Sequence, residues 1–534
     1  MKNFILLGIL GITAFSISAQ SWVSKTNLGG DDYANFTVSG ENGTQYIVGS
    51  TTATGGGGYD AFVSKLDTAG KAIWTKQFGG SGTDYGTHMI ATKDGNLLFV
   101  GRSNSGLSSQ DIYAVKLDTA GNTLWANTYG TDSADFGLKV VEGVDGYLFV
   151  GQTRQAPQKR LDAILVKVNY DGTLVWSNTF GSEYGNETAY DAIKMDSGFV
   201  VAGYTGINNI GAGMNDGIFF ALDKDGGLQA AFEFGGNGDE DIRVIVPGDD
   251  AVYFVGQTRS FGANNQDIFV AKYDTHNQSG LPIFSWFKTY GGAQSESVTS
   301  AKMMDDGKII VTGLTSSFGQ GGDGLVMLLD TAGNVQLAKN IGGTGNDVIM
   351  DVNTDNVSFV GYSDGYSSAS DILVVKPGDG GTFACLAADA AITGVTQTVI
   401  NAGPGNIPPD FSVNPVAVVV SASSISNTGT SADSLVCTGS GQTAINNISN
   451  DVKLTVYPNP ANTTIAVEFL AIENSTVAIS ILDARGAMVQ SVVSEAKNGS
   501  NVVNIALNNL SEGMYLVKIK NGSKESFSKF FVMK

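Results

Sequence analysis

The chain has 534 residues and a formal net charge of −20, from 31 Lys and Arg against 51 Asp and Glu. That balance argues against a nucleic-acid partner, which needs clustered Lys and Arg, and suits a soluble protein that stays dispersed or meets cations. Seventy Gly against ten Pro point to many tight turns, and two Cys with two His leave no Cys/His metal cluster.

The N-terminus reads as an address. Lys2 precedes an apolar run from Phe4 to Phe15, then Ser16-Ile17-Ser18-Ala19-Gln20. Charge, apolar stretch and small residue in that order predict a signal peptide, residues 1–19, cut after Ala19. The run is too short to cross a membrane as a helix, and no later stretch could do so.

From Trp22 to about Gly381 a unit of about fifty residues recurs seven times. One copy holds four short predicted strands: A (Gly86–Thr92), B (Asn96–Ser103), C (Asp111–Asp118) and D (Thr123–Tyr129). The A–B turn is Asp94-Gly95-Asn96 and the C–D turn Asp118-Thr119-Ala120-Gly121-Asn122. Both supply Asp or Asn with Gly, as tight hairpin turns require. Four-stranded units at this spacing predict propeller blades, since β-helix coils are shorter and immunoglobulin domains longer. The first repeat element, Trp22–Leu28, matches strand D, and the last, Asp371–Lys376, matches strand C. The N-terminal strand should therefore complete the last blade and close the ring. The units resemble the bacterial β-propeller repeat family, through G-D-x-Y-G, D-G-N and a Y-V-x-G-x-T-like strand. That resemblance implies a seven-bladed propeller and little about activity.

Features present in every unit most simply serve the blade. The Ser or Thr of G-x-[ST], closing strand B, and the Asp opening strand C are expected to bridge. Trp74, Trp125, Trp176 and Trp286 share a position on strand D and should pack between blades. Lys65, Lys116, Lys167, Lys272 and Lys376 on strand C should be solvated or paired with Asp. An acid follows each D–A loop: Asp32, Asp84, Asp135, Glu187, Glu240, Glu296 and Asp347. Seven carboxylates ringing the channel mouth would suit a hard cation such as Ca²⁺; the alternative is that each caps local backbone N–H groups.

The B–C loops vary most, and loops on a rigid ring are where function sits. They present Arg154, Lys159 and Arg160, then Tyr204, Arg259 with Phe261, Phe318, and Tyr362 with Tyr366. Exposed aromatics and Arg are typical contact residues. His88 and His276 fall on different elements, so a His-based catalytic or metal site is not expected.

Residues 382–437 break the repeat as an irregular or β segment, and Cys385 with Cys437 could form one disulfide in an oxidising compartment. Residues 438–450 read as a polar linker. Residues 451–534 follow with Val456-Tyr457-Pro458-Asn459-Pro460, Ile481-Leu482-Asp483-Ala484-Arg485-Gly486, Leu510-Ser511-Glu512-Gly513-Met514-Tyr515 and a terminal Lys529–Lys534. This small Ig-like β module resembles the type A C-terminal sorting domain of the Bacteroidetes type IX secretion system. The resemblance implies transport to the cell surface or beyond, by that machinery and its sortase. Together these features predict an exported propeller that binds a glycan or a protein. The alternatives are a carboxylate-based polysaccharide enzyme or a purely structural surface component.

Overall fold

The computed structural model describes residues 21–532, apart from 54–56, 156–159, 183–184, 207–214, 263–264, 276–283, 344, 365–368, 379–382, 384–386, 393, 398–399, 402–411, 416–418, 423–431, 440–454, 460, 472–474, 483–487, 508–509, 512 and 522–523. It divides into two compact units, 1–441 and 442–534. The proposed cut after Ala19 lies outside the described residues, as do Lys159, Tyr366, His276 and Cys385. Cys437 stands in an outer strand opposite Val23.

The first unit is a ring of seven antiparallel sheets. Blade 2 is representative: A is Asp84–Ala91, B Leu97–Ser103, C Asp111–Leu117 and D Thr123–Gly130. Strands B and C are buried on both faces, because each blade is sandwiched between two others. Glycine is needed at Gly70, Gly121, Gly172, Gly226 and Gly333 of the C–D turns for two reasons. Each has a positive φ, and the preceding blade's Trp ring (Trp22, Trp74, Trp125, Trp176, Trp286) lies within about 3.4 Å of where a Cβ would stand. The strand-D tryptophans therefore do pack between blades, and Trp22 joins them.

The ring closes as predicted. Ser21–Asn27 pairs antiparallel with Asp371–Lys376 as strand D of blade 7. The amide of Asp32 donates to Ser370 O at 2.8 Å. The same inter-blade bond recurs at Asp84 to Tyr59, Asp135 to Gln110, Glu240 to Asn215, Glu296 to Gln266 and Asp347 to Gly322. Blade 7 thus meets blade 1 as the other blades meet each other.

One feature was not foreseen. Residues 387–439 run backwards around the rim and lay a fifth strand on six blades. Ala387–Asp389 joins blade 6, Val395–Thr396 blade 5 and Ile400–Asn401 blade 4. Ser412–Pro415 then joins blade 3, Val419–Ala422 blade 2, and Ala432–Gly439 covers the N-terminal strand. The segment read as irregular or β is therefore a belt of short strands over exposed strand edges, which would otherwise invite pairing with other chains. Blade 1 keeps four strands.

The second unit is a β-sandwich. Thr455–Tyr457, Thr464–Ala471 and Gly499–Ala506 form one sheet. Met488–Ala496, Ser475–Leu482, Gly513–Asn521 and Lys524–Val532 form the other. Ile465, Val467, Val477, Ile479, Val517 and Phe530 are in its core.

Candidate functional site

Each blade carries two sets of residues at its upper, B–C loop end. The first is nearly invariant. The strand-A acid, the strand-B hydroxyl and the strand-C Asp stand side by side in register, as in Asp32, Thr51 and Asp60. The acids follow the capping alternative rather than a charged ring at the channel mouth. All seven, Asp32, Asp84, Asp135, Glu187, Glu240, Glu296 and Asp347, are buried. Each closes its own D–A loop by accepting a backbone N–H: Leu28 to Asp32 at 2.7 Å, Gly80 to Asp84 at 2.9 Å, Thr131 to Asp135 at 2.6 Å. The same bond joins Ser182 to Glu187, Gly236 to Glu240, Gly292 to Glu296 and Gly343 to Asp347.

The hydroxyl bridge differs from expectation too. Thr205, Thr258 and Thr315 donate to Glu187, Glu240 and Glu296 at 3.1, 2.7 and 2.8 Å, and Thr51 donates to Asp32. The strand-C Asp turns instead toward the D-strand glycine and the next blade's acid. A Cβ on Gly79 would stand 2.2 Å from Asp60 Oδ1 and 2.7 Å from Asp84 Oδ2. A buried carboxyl pair thus sits at the blade junction. Burial, then the neighbouring carboxylate, pushes Asp60 and Asp111 up to about 6; burial alone does so for Asp162. Among the described residues no group of three or more His, Cys, Asp or Glu side chains is placed to hold a metal ion.

The second set differs in every blade. It comprises the second residue of strand A, its partner on strand B and the residue before strand C. In blades 7, 1, 2 and 3 these make one continuous arc. Tyr362 meets Tyr33 edge-on at 4.8 Å between ring centroids, and Tyr33 lies 6.0 Å from Tyr59. Tyr59 stacks on Tyr85 at 5.2 Å. Arg102 then lies over Tyr85 at 4.4 Å and over Phe136 at 4.8 Å. Burial, then the neighbouring Tyr33 phenol, raises Tyr59 to about 12, so Tyr59 stays a neutral donor at ordinary pH.

Across the mouth, blades 3 to 6 supply polar planes. Thr188 donates to Gln152, and Arg243 makes a two-pronged contact with Asp241 at 3.0 and 2.9 Å. Arg243 also covers the Tyr190 ring at 3.9 Å. Gln257 donates to Asp241, and Gln266 to Gln257 and Ser297.

Below the mouth a bulge interrupts strand A of every blade, between Gly86 and His88 in blade 2 and at the matching place elsewhere. Bulges re-aim side chains. The residues they turn inward line a channel of about 830 Å³. Here Asp351 accepts from Thr37 N and Lys302, and Asp191 from Ile245 N and Lys139.

Residues 455–533 match the family described as the secretion system C-terminal sorting domain. The second unit is a type IX export tag. No curated protein matches the chain. Among solved structures, the chain is similar to the β-propeller domain of the Trilobed protease from Pyrococcus furiosus (12% identity, 66% of this chain, 94% of that one, TM-score 0.38). It is also similar to the Pyrococcus horikoshii acylaminoacyl peptidase (10%, 64% and 52%, 0.35), of which it spans about half. A third is a GH43_12 protein retrieved from a capybara gut metagenome (10%, 70% and 82%, 0.22).

In this exported propeller the loop residues singled out from sequence scatter. Arg154, Arg160 and Arg259 are exposed. Arg154 and Arg160 belong to strands, Tyr147–Gln155 and Arg160–Val168, which run longer than the predicted loop allowed. Phe261 and Phe318 turn inward. Phe261 meets Phe287 at 5.5 Å, and Phe318 packs on the core between blades 5 and 6. Tyr204 lies on strand B against Tyr190 at 5.9 Å. Tyr362 alone joins the arc. Tyr33, Tyr59, Tyr85, Arg102 and Phe136 were passed over because they sit inside repeat motifs. The available signal was their change from blade to blade at one repeat position.

Proposed function

We propose that the exported propeller is a binding protein that takes a carbohydrate chain across the upper mouth of its channel. The reading rests on the Tyr362–Tyr33–Tyr59–Tyr85–Arg102–Phe136 arc, unbroken over four blades. Sugar rings offer C–H faces to aromatic planes and hydroxyls to planar polar groups. The arc supplies the former and the Arg243, Asp241, Gln257 and Gln266 network the latter. Residues 451–534 deliver the chain to the type IX machinery, whose sortase removes them at the cell surface. A carboxylate enzyme has less behind it, because Asp191 and Asp351 are each tied to a lysine and to backbone N–H groups.

The test is an array of glycans and surface proteins, followed by titration of the full chain. Tyr85→Ala and Arg102→Ala should each weaken the captured glycan about tenfold, while Arg154→Ala, Arg160→Ala and Arg259→Ala leave it within about twofold. Capture of proteins alone, or loss of binding only in the three outer arginine variants, overturns the reading.

A further inference from the structure

Deeper in the channel, three donors gather around one ring. The Nζ atoms of Lys302 and Lys139 lie 4.4 and 5.8 Å from the Phe36 centroid, and the His88 ring 4.0 Å from it. The lysines have acidic neighbours, yet those acids do not consume them. Asp351 already accepts from Thr37 N at 3.0 Å and Ser300 Oγ at 2.6 Å. Asp191 accepts from Ala192 N and Ile245 N, both at 2.8 Å. Lys302 gives one further bond to Val352 O. Lys139 has three N–H groups and, among the described residues, donates to Asp191. Donors therefore remain.

His88 supplies an independent sign. It is 5% exposed and lines the channel. Its Nδ1 accepts the Val140 amide at 3.5 Å, so the proton sits on Nε2. Nε2–H has no partner among the described residues and remains available to donate into the channel that His88 lines. Burial, then the fields of Lys139 and Lys302, hold this histidine well below its ordinary pKa. The imidazole is neutral and stands beside two lysines, although the chain as a whole is strongly acidic.

We infer that the channel holds a site for one oxyanion, a carboxylate or sulfate group, gripped by Lys139, Lys302 and the Nε2–H of His88. Such a group accepts several charge-assisted hydrogen bonds at once. The site uses none of the arc residues, so it goes beyond the carbohydrate reading and does not depend on it. If both hold, the ligand is an acidic sugar chain that threads its charged group into the channel.

The experiment titrates the full chain with sodium sulfate and with galacturonate, at fixed ionic strength against chloride. Both should bind. His88→Phe keeps the packing on Phe36 and removes the donor; Lys139→Gln removes one charge. Each should weaken both anions about tenfold with little change in melting, while Tyr85→Ala leaves them unchanged. Binding of galacturonate alone assigns the site to a sugar acid, and binding of sulfate alone to a free inorganic anion. Neither anion binding above chloride, or His88→Phe binding as the unaltered chain does, overturns the inference. Should Lys139→Gln unfold, His88→Phe carries the test by itself.

Discussion

The blade junctions and the channel mouth are built on neighbouring residues of the same strands, yet they follow opposite rules. At the junction, acid, hydroxyl and Asp repeat seven times, and each acid accepts a backbone N–H of its own D–A loop. One residue along, the mouth positions read Tyr33, Tyr85, Phe136, Thr188, Asp241, Ser297 and Val348. A repeated group must satisfy the blade. A position that varies around the ring is free of that duty and can serve a ligand that sees all seven at once.

The largest test of the repeated half removes a repeat strand. Deleting Ser21–Asn27 strips the partner from both Asp371–Lys376 and Ala432–Gly439, leaving two unpaired edges. Aggregation or loss of the cooperative melt is expected in size-exclusion and thermal measurements. A monodisperse deletion variant with unchanged melting would refute ring closure by this strand.

A smaller effect separates repeats that look alike in sequence. Lys116 is 5% exposed and pairs with Asp94 of the A–B turn at 2.6 Å. Asp94→Ala leaves that ammonium buried without a counter-ion. The expected cost is about 1–3 kcal/mol, the lower end because Asp94 itself is half-exposed to water. The same turn in blade 6 pairs Asp306 with an exposed Lys308, and Asp306→Ala should cost under about 1 kcal/mol. Urea melts of the two variants give the difference; equal losses would show that Lys116 is effectively solvated.

The smallest effect per residue comes from the junction acids. Burial raises Asp32, Asp60, Asp111 and Asp162 to about 6 and Glu187 to about 7. Unfolded carboxyls titrate near about 4, so the folded state holds the extra protons between these values. Their stabilisation is complete below about pH 4 and is lost as pH rises through about 6 to 7. The melting midpoint should therefore fall between pH 5 and pH 8, and Asp60→Asn should shrink the fall. A midpoint that rises over that range, or an Asp60→Asn variant with an unchanged fall, would break the assignment.

Some of this was legible residue by residue. The turn glycines and tryptophans announced their packing because both partners recur at a fixed spacing. Lys116 and Lys167 were read as solvated or paired, and prove buried and paired. Phe261 and Phe318 misled because an aromatic in a Gly-rich loop looks exposed until the loop folds back over its own blade and the one before it. The belt was hidden for a different reason. Strands such as Val395–Thr396 and Ile400–Asn401 are too short to show alternation, and they form only because a finished blade offers an edge.

By itself the sequence determined the seven units, their four strands, the out-of-phase ends that close the ring and the export module. Each of these is written in local periodicity, turn chemistry or a contiguous motif. The tertiary structure alone decided the belt, the carboxyl pairs, the aromatic arc and the channel donors. These depend on contacts between blades, where residues from neighbouring or distant repeats are brought together by the curvature of the ring.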